Sequence, residues 1–277
     1  MNTTIADIAA RDIIIERIMQ RQRRSRMMLG MAYLFGIAMV AWSVHVTIID
    51  DTDWARMGSL GQVLETAGRF VGLDIALFAD LLHPTIETLM IACLGTLLGV
   101  IVCVPAAWFG AMNITPFKPI TYPLARMMMT LSRSIHEIVW ALFFVSAVGL
   151  GALAGIFAIA VRSVGFIAKM SAEAIENIDH GPVDAIRATG ANEFQVMLYA
   201  ILPQILPQVL GVVIFEWEIN IRRSAILGLV GAGGLGLVFF RQMNTFNFYG
   251  VMSVIVAILF LILIGEMISH WARKAVI

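Results

Sequence analysis

The fold of this chain is decided by residues 184–190, DAIRATG, and by residues 200–203, AILP, which follow after nine further positions. Both lie in a comparatively polar segment, residues 171–204, that separates long apolar runs. Gly190 permits a sharp turn or a close backbone approach, and Pro203 is suited to open a helix. The pattern predicts a short, stiff helical element on a membrane surface, between two membrane spans.

The composition around that segment is typical of a membrane protein. Of the 277 residues, 60% are hydrophobic and only 14% are charged, and the mean hydropathy is +0.87. These values exclude both an ordinary soluble globule and a disordered chain. Nineteen Lys and Arg balance nineteen Asp and Glu, so no net charge attracts nucleic acid and charges act only locally.

Motifs of enzymatic chemistry are missing from the sequence. No Cys/His pair has metal-ligand spacing, and neither G-x-S-x-G nor H-E-x-x-H occurs. None of Lys118, Lys169 and Lys274 follows the glycine pattern of a phosphate loop, so this chain cannot hydrolyse ATP in that way. Cys93 and Cys103 lie about 15 Å apart along one helix, too far for a disulfide. We expect no enzyme activity, metal or cofactor in this chain.

The N-terminal part predicts one membrane span and its orientation. Residues 1–27 are polar and carry four arginines between Arg21 and Arg26. Residues 28–49 are apolar and about 20 residues suffice to cross a bilayer, so we expect a first transmembrane helix. A signal peptide is disfavoured because the apolar run is too long and no small-residue cleavage site follows. The arginines predict a cytoplasmic N-terminus.

The segment 50–84 is then external. Residues 50–80 hold six acids and two arginines among apolar positions, which suits either a partly amphipathic helix at the interface or a simple connector. His83-Pro84 predicts the entry to a second span from Thr85 to Ala111. This span carries Gly95-x-x-x-Gly99, a spacing that lets another helix approach closely.

Residues 120–168 contain either one span, Ile138 to Val161, or two spans that meet near Gly149-Leu150-Gly151. Two spans place eleven Lys and Arg on the cytoplasmic side and five outside, whereas one span gives twelve and seven. Because Lys and Arg are retained in the cytoplasm, this count leans towards two spans without deciding the matter.

The remaining apolar sequence is too long for one straight span. Residues 205–240 would extend about 54 Å as a helix, against a hydrocarbon core about 30 Å thick. We expect a helix that bends near Asn220 and a glycine-rich re-entrant or outer segment after it. A last span, Tyr249 to Ile268, and a cytoplasmic tail, residues 270–277, complete an all-α polytopic membrane protein of about six transmembrane helices.

Ionisable residues at membrane depth are candidates for a translocation pathway, because their burial is costly. Arg133 and Glu137 are four residues apart and are expected to pair on one helix face, as are Glu218 and Arg222. Since Glu218 cannot neutralise two arginines, Arg223 and Arg222 together are expected to leave a positive charge for a passing anion. We expect contact with the cargo to be weak, so that it is released.

The run Gly231-Ala232-Gly233-Gly234-Leu235-Gly236 formally matches the dinucleotide fingerprint G-x-G-x-x-G. We interpret the match as false, because no strand precedes it and no acid follows about twenty residues later. Gly231, Gly233, Gly234 and Gly236 are instead expected to permit close helix contact or a bend at an outer gate.

The segment 171–204 resembles the signature loop of permease subunits of binding-protein-dependent ABC importers. Asp184 and Ala185 occupy the Glu-Ala positions of that signature, and Gly190, Leu202 and Pro203 match at the expected intervals. Together with three neighbouring blocks, the sequence looks like a phosphonate importer permease from about Thr85 to the C-terminus. These blocks are residues 134–145, 172–178 and 223–236.

The resemblance implies a type I importer fold for residues 85–269 and a cytoplasmic coupling helix in residues 171–204, which requires two spans in residues 120–168. It further implies a bacterial inner-membrane homodimer with both termini cytoplasmic. Two ATPase subunits would hold ATP and Mg and dock near Gly190, and an external binding protein would deliver phosphonate or a related phosphorus oxyanion. The family gives Asp184, Ala185, Gly190, Leu202 and Pro203 a role in coupling.

Three other functions compete with this one. A secondary transporter would use Glu216 or Glu218 to carry a proton with the substrate. An intramembrane enzyme acting on lipid would need a nucleophile and base that the sequence does not offer. An ABC permease for an amino acid shares the signature loop, so the loop alone does not exclude it.

Overall fold

A computed structural model describes residues 2–51 and 58–276, and in these ranges the chain forms helices, turns and connecting segments with no strand. Two compact units divide between Glu65 and Thr66. The helices are α1 (Asn2–Val44), α2 (Leu60–Arg69), α3 (Leu77–Gly110), α4 (Lys118–Ser134), α5 (Glu137–Val148), α6 (Ala152–Glu176), α7 (His180–Ala188), α8 (Glu193–Val196), α9 (Leu202–Leu227), α10 (Gly234–Asn244) and α11 (Phe248–Val276).

Five stretches of the described chain are long and apolar enough to cross a membrane. They are Arg21–Asp50, Leu77–Gly110, Ala152–Glu176, Glu193–Val230 and Phe248–Val276. A sixth span results if α4 and α5, which are bent by 91° at a short break, are taken as one. The expected all-α protein of about six spans is confirmed.

The first unit contains α1, which continues as a wider π-helical turn from His45 to Asp50. Its candidate span extends beyond the predicted range 28–49 at its N-terminal side. The helix α2, which crosses into the second unit, shows that residues 50–84 contain more than a simple connector.

In the second unit, α6 packs closely against α3. A Cβ on Gly95 would lie 2.6 Å from Ile159 Cγ2, and one on Gly99 would lie 2.8 Å from Ser163 Cβ. Both distances are shorter than van der Waals contact, so only glycine fits at these positions. The close helix approach predicted from Gly95-x-x-x-Gly99 is therefore confirmed.

The segment after α2, residues 70–76, is attached to the start of α11. The Phe70 and Phe248 rings pack edge to face with centroids 4.9 Å apart. The Asp74 amide donates to Ser253 Oγ at 2.8 Å, and that hydroxyl lies 3.1 Å from the Asp74 carbonyl. These contacts fix the chain just before α3 begins.

The predicted helix entry at Thr85 is wrong, because α3 begins at Leu77 and contains Pro84 in its interior. The Thr85 hydroxyl donates to the Leu81 carbonyl at 2.7 Å. Such hydroxyl bonds help to satisfy backbone groups near a proline within a span. Apolar residues from Leu77 onward extend the helix towards the N-terminus.

Residues 120–168 have the two-span arrangement if α4 and α5 form one bent span, with α6 as the next span. Gly149 and Gly151 lie between α5 and α6 with φ of +92° and +137°, so the chain reverses where the sequence placed the junction. The expected bend near Asn220, however, is wrong, because α9 continues to Leu227. The charged residues of α9 pair with one another and with neighbouring helices, so the helix does not break at them.

Candidate functional site

Residues 177–204, from the end of α6 into the first turn of α9, are called the signature turn. It is shorter than the predicted polar loop, since α6 continues to Glu176. Asp179 caps α7 by accepting a hydrogen bond from the Gly181 amide at 2.9 Å. After α7, Gly190 has a φ of +83°, which L side chains rarely adopt. The sharp turn predicted at Gly190 is confirmed.

A capping box starts the next helix. Asn192 Oδ1 accepts from the Gln195 amide, and Gln195 Oε1 accepts from the Asn192 amide, each at 2.9 Å. From there α8, a π-helical turn (Met197–Ile201) and α9 follow without interruption. Pro203 therefore lies inside a longer helix rather than opening a span, because the capping box has already begun the helix ten residues earlier.

Two side-chain contacts brace the signature turn. Arg187 Nη2 lies 3.0 Å from Glu193 Oε2, so an ion pair closes the turn across Gly190. The hydrogen bond and negative charge of Glu193 raise the pKa of the Arg187 guanidinium above its usual value. Gln204 Oε1 accepts from the Asp179 amide at 3.0 Å, and Gln204 Nε2 donates to the Ala200 carbonyl at 2.8 Å.

The predicted coupling residues fall into two groups. Asp184, Ala185 and Gly190 are exposed on the signature turn. Leu202 is partly buried against the core that contains Val183 and Ile201, each 2% exposed, while Pro203 is exposed. The first group can contact a partner, and Leu202 attaches the turn to the helical bundle.

The predicted pair of Arg133 and Glu137 does not form. α4 ends at Ser134 and α5 begins at Glu137 after a bend of 91°, so the two residues do not share a helix face. Glu137 instead lies 3.5 Å from the Nε atoms of both Arg162 and Arg223. We call the bend and its flanking residues, 132–137, the elbow.

The predicted pair of Glu218 and Arg222 is confirmed, with a distance of 2.7 Å between Glu218 Oε1 and Arg222 Nη2. The second oxygen of Glu218 accepts from Ser269 Oγ at 2.7 Å and from Arg273 Nη1 at 3.0 Å. Glu218 therefore links α9 to the C-terminal part of α11.

The expectation that Arg222 and Arg223 leave one charge unpaired is wrong. Arg223 Nη1 lies 2.7 Å from Glu216 Oε1, because residues seven apart lie on one face of α9. Glu216 is 1% exposed and also accepts from Ser163 Oγ at 3.2 Å. Asn220 extends this buried network by donating to Ser163 and to Thr96, so it connects α3, α6 and α9.

The ionisable residues inside the spans that the sequence analysis did not single out include Glu87, Arg162 and Glu266. The signal was present, since each interrupts an otherwise apolar run. Arg162 is part of the charge cluster at the elbow, whereas Glu87 lies beside the glycine-rich turn. A Cβ on Gly233 would be 2.6 Å from Glu87 Oε1.

Of the predicted gate glycines, Gly231 and Gly233 lie in the turn between α9 and α10, and Gly234 and Gly236 lie in the first turn of α10. Gly231 and Gly233 have φ of +88° and +84°, and the Leu235 amide donates to Thr88 Oγ1 at 2.8 Å. The Gly151 amide donates to the Gly231 carbonyl at 2.9 Å, which joins this turn to the start of α6. Gly234 also has a positive φ, and Gly236 packs closely against the backbone of Gly228.

Comparison with known proteins places these features in a family. Residues 100–276 match the family model described as binding-protein-dependent transport system inner membrane component. The phosphite transport system permease protein PtxC of Stutzerimonas stutzeri is 35% identical over 88% of this chain and 87% of its own length. The phosphate-import permease protein PhnE of Mycolicibacterium smegmatis is 35% identical over 73% of this chain and 38% of its own length.

A solved structure has the same fold. A chain of the MetNI methionine ABC transporter in an inward-facing conformation is 24% identical and is covered completely, with 74% of this chain aligned and a TM-score of 0.65. The helices that carry the signature turn and the elbow lie within the family match, residues 100–276. The chain therefore belongs to the family of binding-protein-dependent transport system inner membrane components.

Proposed function

We propose that this chain is the membrane-spanning subunit of an ATP-driven importer for phosphite, phosphonate or a related phosphorus oxyanion. The observation that carries the proposal is the 35% identity to a phosphite transport permease over 88% of the chain. The chain would lie in the bacterial inner membrane with both termini in the cytoplasm, because the arginines at the N-terminal side of the first span favour that side.

The signature turn is the proposed contact with the ATPase. Asp184, Ala185 and Gly190 are exposed there, and Leu202 with Pro203 attaches the turn to the long helix that contains α9. Two copies of the chain would each receive one ATPase subunit. ATP and Mg would be bound by the ATPase, with no cofactor in this chain. Closure of the ATPases would move each braced turn as a rigid body and open the pore.

The proposed pathway passes the charged residues of the bundle. Arg133, Glu137, Glu218, Arg222 and Arg223 would line or support it. Gly231, Gly233, Gly234 and Gly236 would form a gate towards the external binding protein, since this turn touches both α3 and the start of α6. The pairs within the cluster limit the net charge, which suits a path that must release its cargo.

The test is uptake by proteoliposomes that contain the chain with its candidate ATPase and binding protein. We expect phosphite and methylphosphonate to accumulate in the vesicles only under two conditions. ATP must be present on the side of the membrane that carries the ATPase, and the binding protein must be present on the other side. Methionine uptake under the same conditions would favour an amino-acid permease. Uptake by the chain alone, driven by a pH gradient, would instead establish a secondary transporter.

A further inference from the structure

We infer that Arg133 and Arg162, at the elbow between α4 and α5, form a weak oxyanion-binding site inside the membrane-spanning bundle. This inference rests on the proposed transport of a phosphorus oxyanion and names the side chains that the ion contacts on its way. Contact with the ion falls to Arg133 and Arg162. The adjacent arginines on α9, Arg222 and Arg223, already pair with Glu218 and Glu216.

The first argument is the local charge. The guanidinium groups of Arg162 and Arg223 lie beside two carboxylates, those of Glu137 and Glu216. Arg133 adds a third guanidinium group in the last turn of α4, so the described charged residues at and around the elbow carry one surplus positive charge. Arg223 is matched closely by Glu216 at 2.7 Å. Glu137 is shared at 3.5 Å by two arginines, which is longer than the usual charge-assisted hydrogen bond of about 2.7–2.9 Å.

The second argument is an unused donor on Arg162. Its Nη1 donates to the Arg133 carbonyl at 2.7 Å, which fixes the guanidinium at the end of α4. Its Nε is buried and makes no hydrogen bond, although it lies 3.5 Å from Glu137 Oε2. A buried donor without an acceptor is costly, so an oxygen atom placed there would be bound favourably.

The third argument is the position of Arg133. The hydrogen bonds of Ser132 to the Val161 carbonyl and of Arg162 to the Arg133 carbonyl place the elbow beside the middle of α6. Arg133 is exposed there and has no ion pair with the described part of the chain. A charge at this depth is too costly to face hydrocarbon, so this side of the elbow must meet water or another protein surface.

The chemistry of the site selects its ligand. Guanidinium groups present several N–H donors in a planar fork that matches the oxygens of phosphate-like ions. Phosphite and phosphonate each offer at least two such oxygens with negative charge. Glu137 opposes the ion and keeps the affinity low, with a dissociation constant on the order of 1 mM, which permits release.

The experiment measures binding of inorganic phosphite to the purified complex of this chain with its ATPase, without binding protein, by broadening of the 31P resonance. We expect saturable broadening with the wild type. The phosphite affinity of Arg133→Gln and of Arg162→Gln should each be about tenfold lower, because each substitution removes one charged hydrogen-bonding partner of the ion. Arg241→Gln is the matched control, since Arg241 is also exposed in the last turn of its helix. Dimethyl methylphosphonate, a neutral ester with a 31P signal, should not bind.

Absence of saturable broadening in the wild type, or equal affinity in the wild type and both Gln variants, would overturn the site. If the Gln variants fail to co-purify with the ATPase, Arg133→Lys and Arg162→Lys replace them, because lysine keeps the positive charge and removes the planar fork of guanidinium N–H donors. A phosphite affinity of the Lys variants below that of the wild type supports the site. An undiminished affinity overturns it. Phosphite uptake by the wild type is measured separately. A wild type that imports phosphite without binding it at the elbow would refute this inference and leave the proposed function standing.

Discussion

Gln204 holds the backbone of Asp179 from both sides, accepting from its amide at 3.0 Å and donating to its carbonyl at 3.3 Å. The residue thus attaches the start of α7 to α9, twenty-five positions away in sequence. Any force applied to the exposed face of the signature turn reaches the long helix through this contact and through the buried side chain of Val183.

We expect Gln204→Ala to lower the amount of phosphite imported per ATP hydrolysed. Each lost hydrogen bond contributes about 1 kcal/mol, so the complex should still assemble while the turn moves independently of α9. Gln208→Ala, on the exposed side of the same helix, is the control. An unchanged ratio of transport to hydrolysis in the Gln204 variant would show that the contact does not transmit motion.

Gly190→Arg is expected to abolish co-purification with the ATPase while membrane insertion stays intact. The φ of +83° strains any L side chain by about 1–2 kcal/mol, and a long side chain would also obstruct docking. Since a Cβ at Gly190 meets no atom within 4 Å, Gly190→Ala introduces the strain alone and should weaken association only in part. Normal recovery of the ATPase with the Arg variant would contradict the assignment of this turn.

Substitution of Gly233 tests the turn between α9 and α10. An added Cβ meets Glu87 Oε1 at 2.6 Å and the Ala152 amide nitrogen at 3.2 Å, at a φ of +84°. Gly233→Ala should therefore lower the thermal unfolding temperature in detergent and reduce uptake. Gly149→Ala has a similar φ but no neighbour within 4 Å, so it measures strain without the clash. Equal effects of the two variants would mean that packing against Glu87 is unimportant.

Glu216→Gln should destabilise the bundle by about 2 kcal/mol, the typical contribution of a charged hydrogen bond. The carboxylate is 1% exposed and bonds both Arg223 and Ser163. Because the partly buried Arg223 without its closest carboxylate is the main cost, adding Arg223→Gln should not increase the loss. The measurement is chemical unfolding in detergent with Glu193→Gln, from the exposed pair, as control. Additive losses would indicate that the two residues do not act together.

The local signals in the sequence succeeded where one residue carries its own constraint. Gly190 turned the chain as expected because glycine alone adopts its backbone angles without strain. Glu218 and Arg222 paired because a helix places residues four apart on one face. The same rule failed for Arg133 and Glu137, since it assumes one continuous helix and the elbow breaks it.

The sequence by itself determined that the chain is a membrane protein, where most of its apolar spans lie, and which turn bears the importer signature. These properties follow from apolar length, the location of glycine and proline, and the spacing of a few residues along the chain. Tertiary structure alone decided which charges on separate helices neutralise each other. Arg162 and Arg223 reach Glu137 only after the bend at the elbow and the close packing of α6 bring separate helices together, because the free energy of a buried charge depends on its neighbours in space.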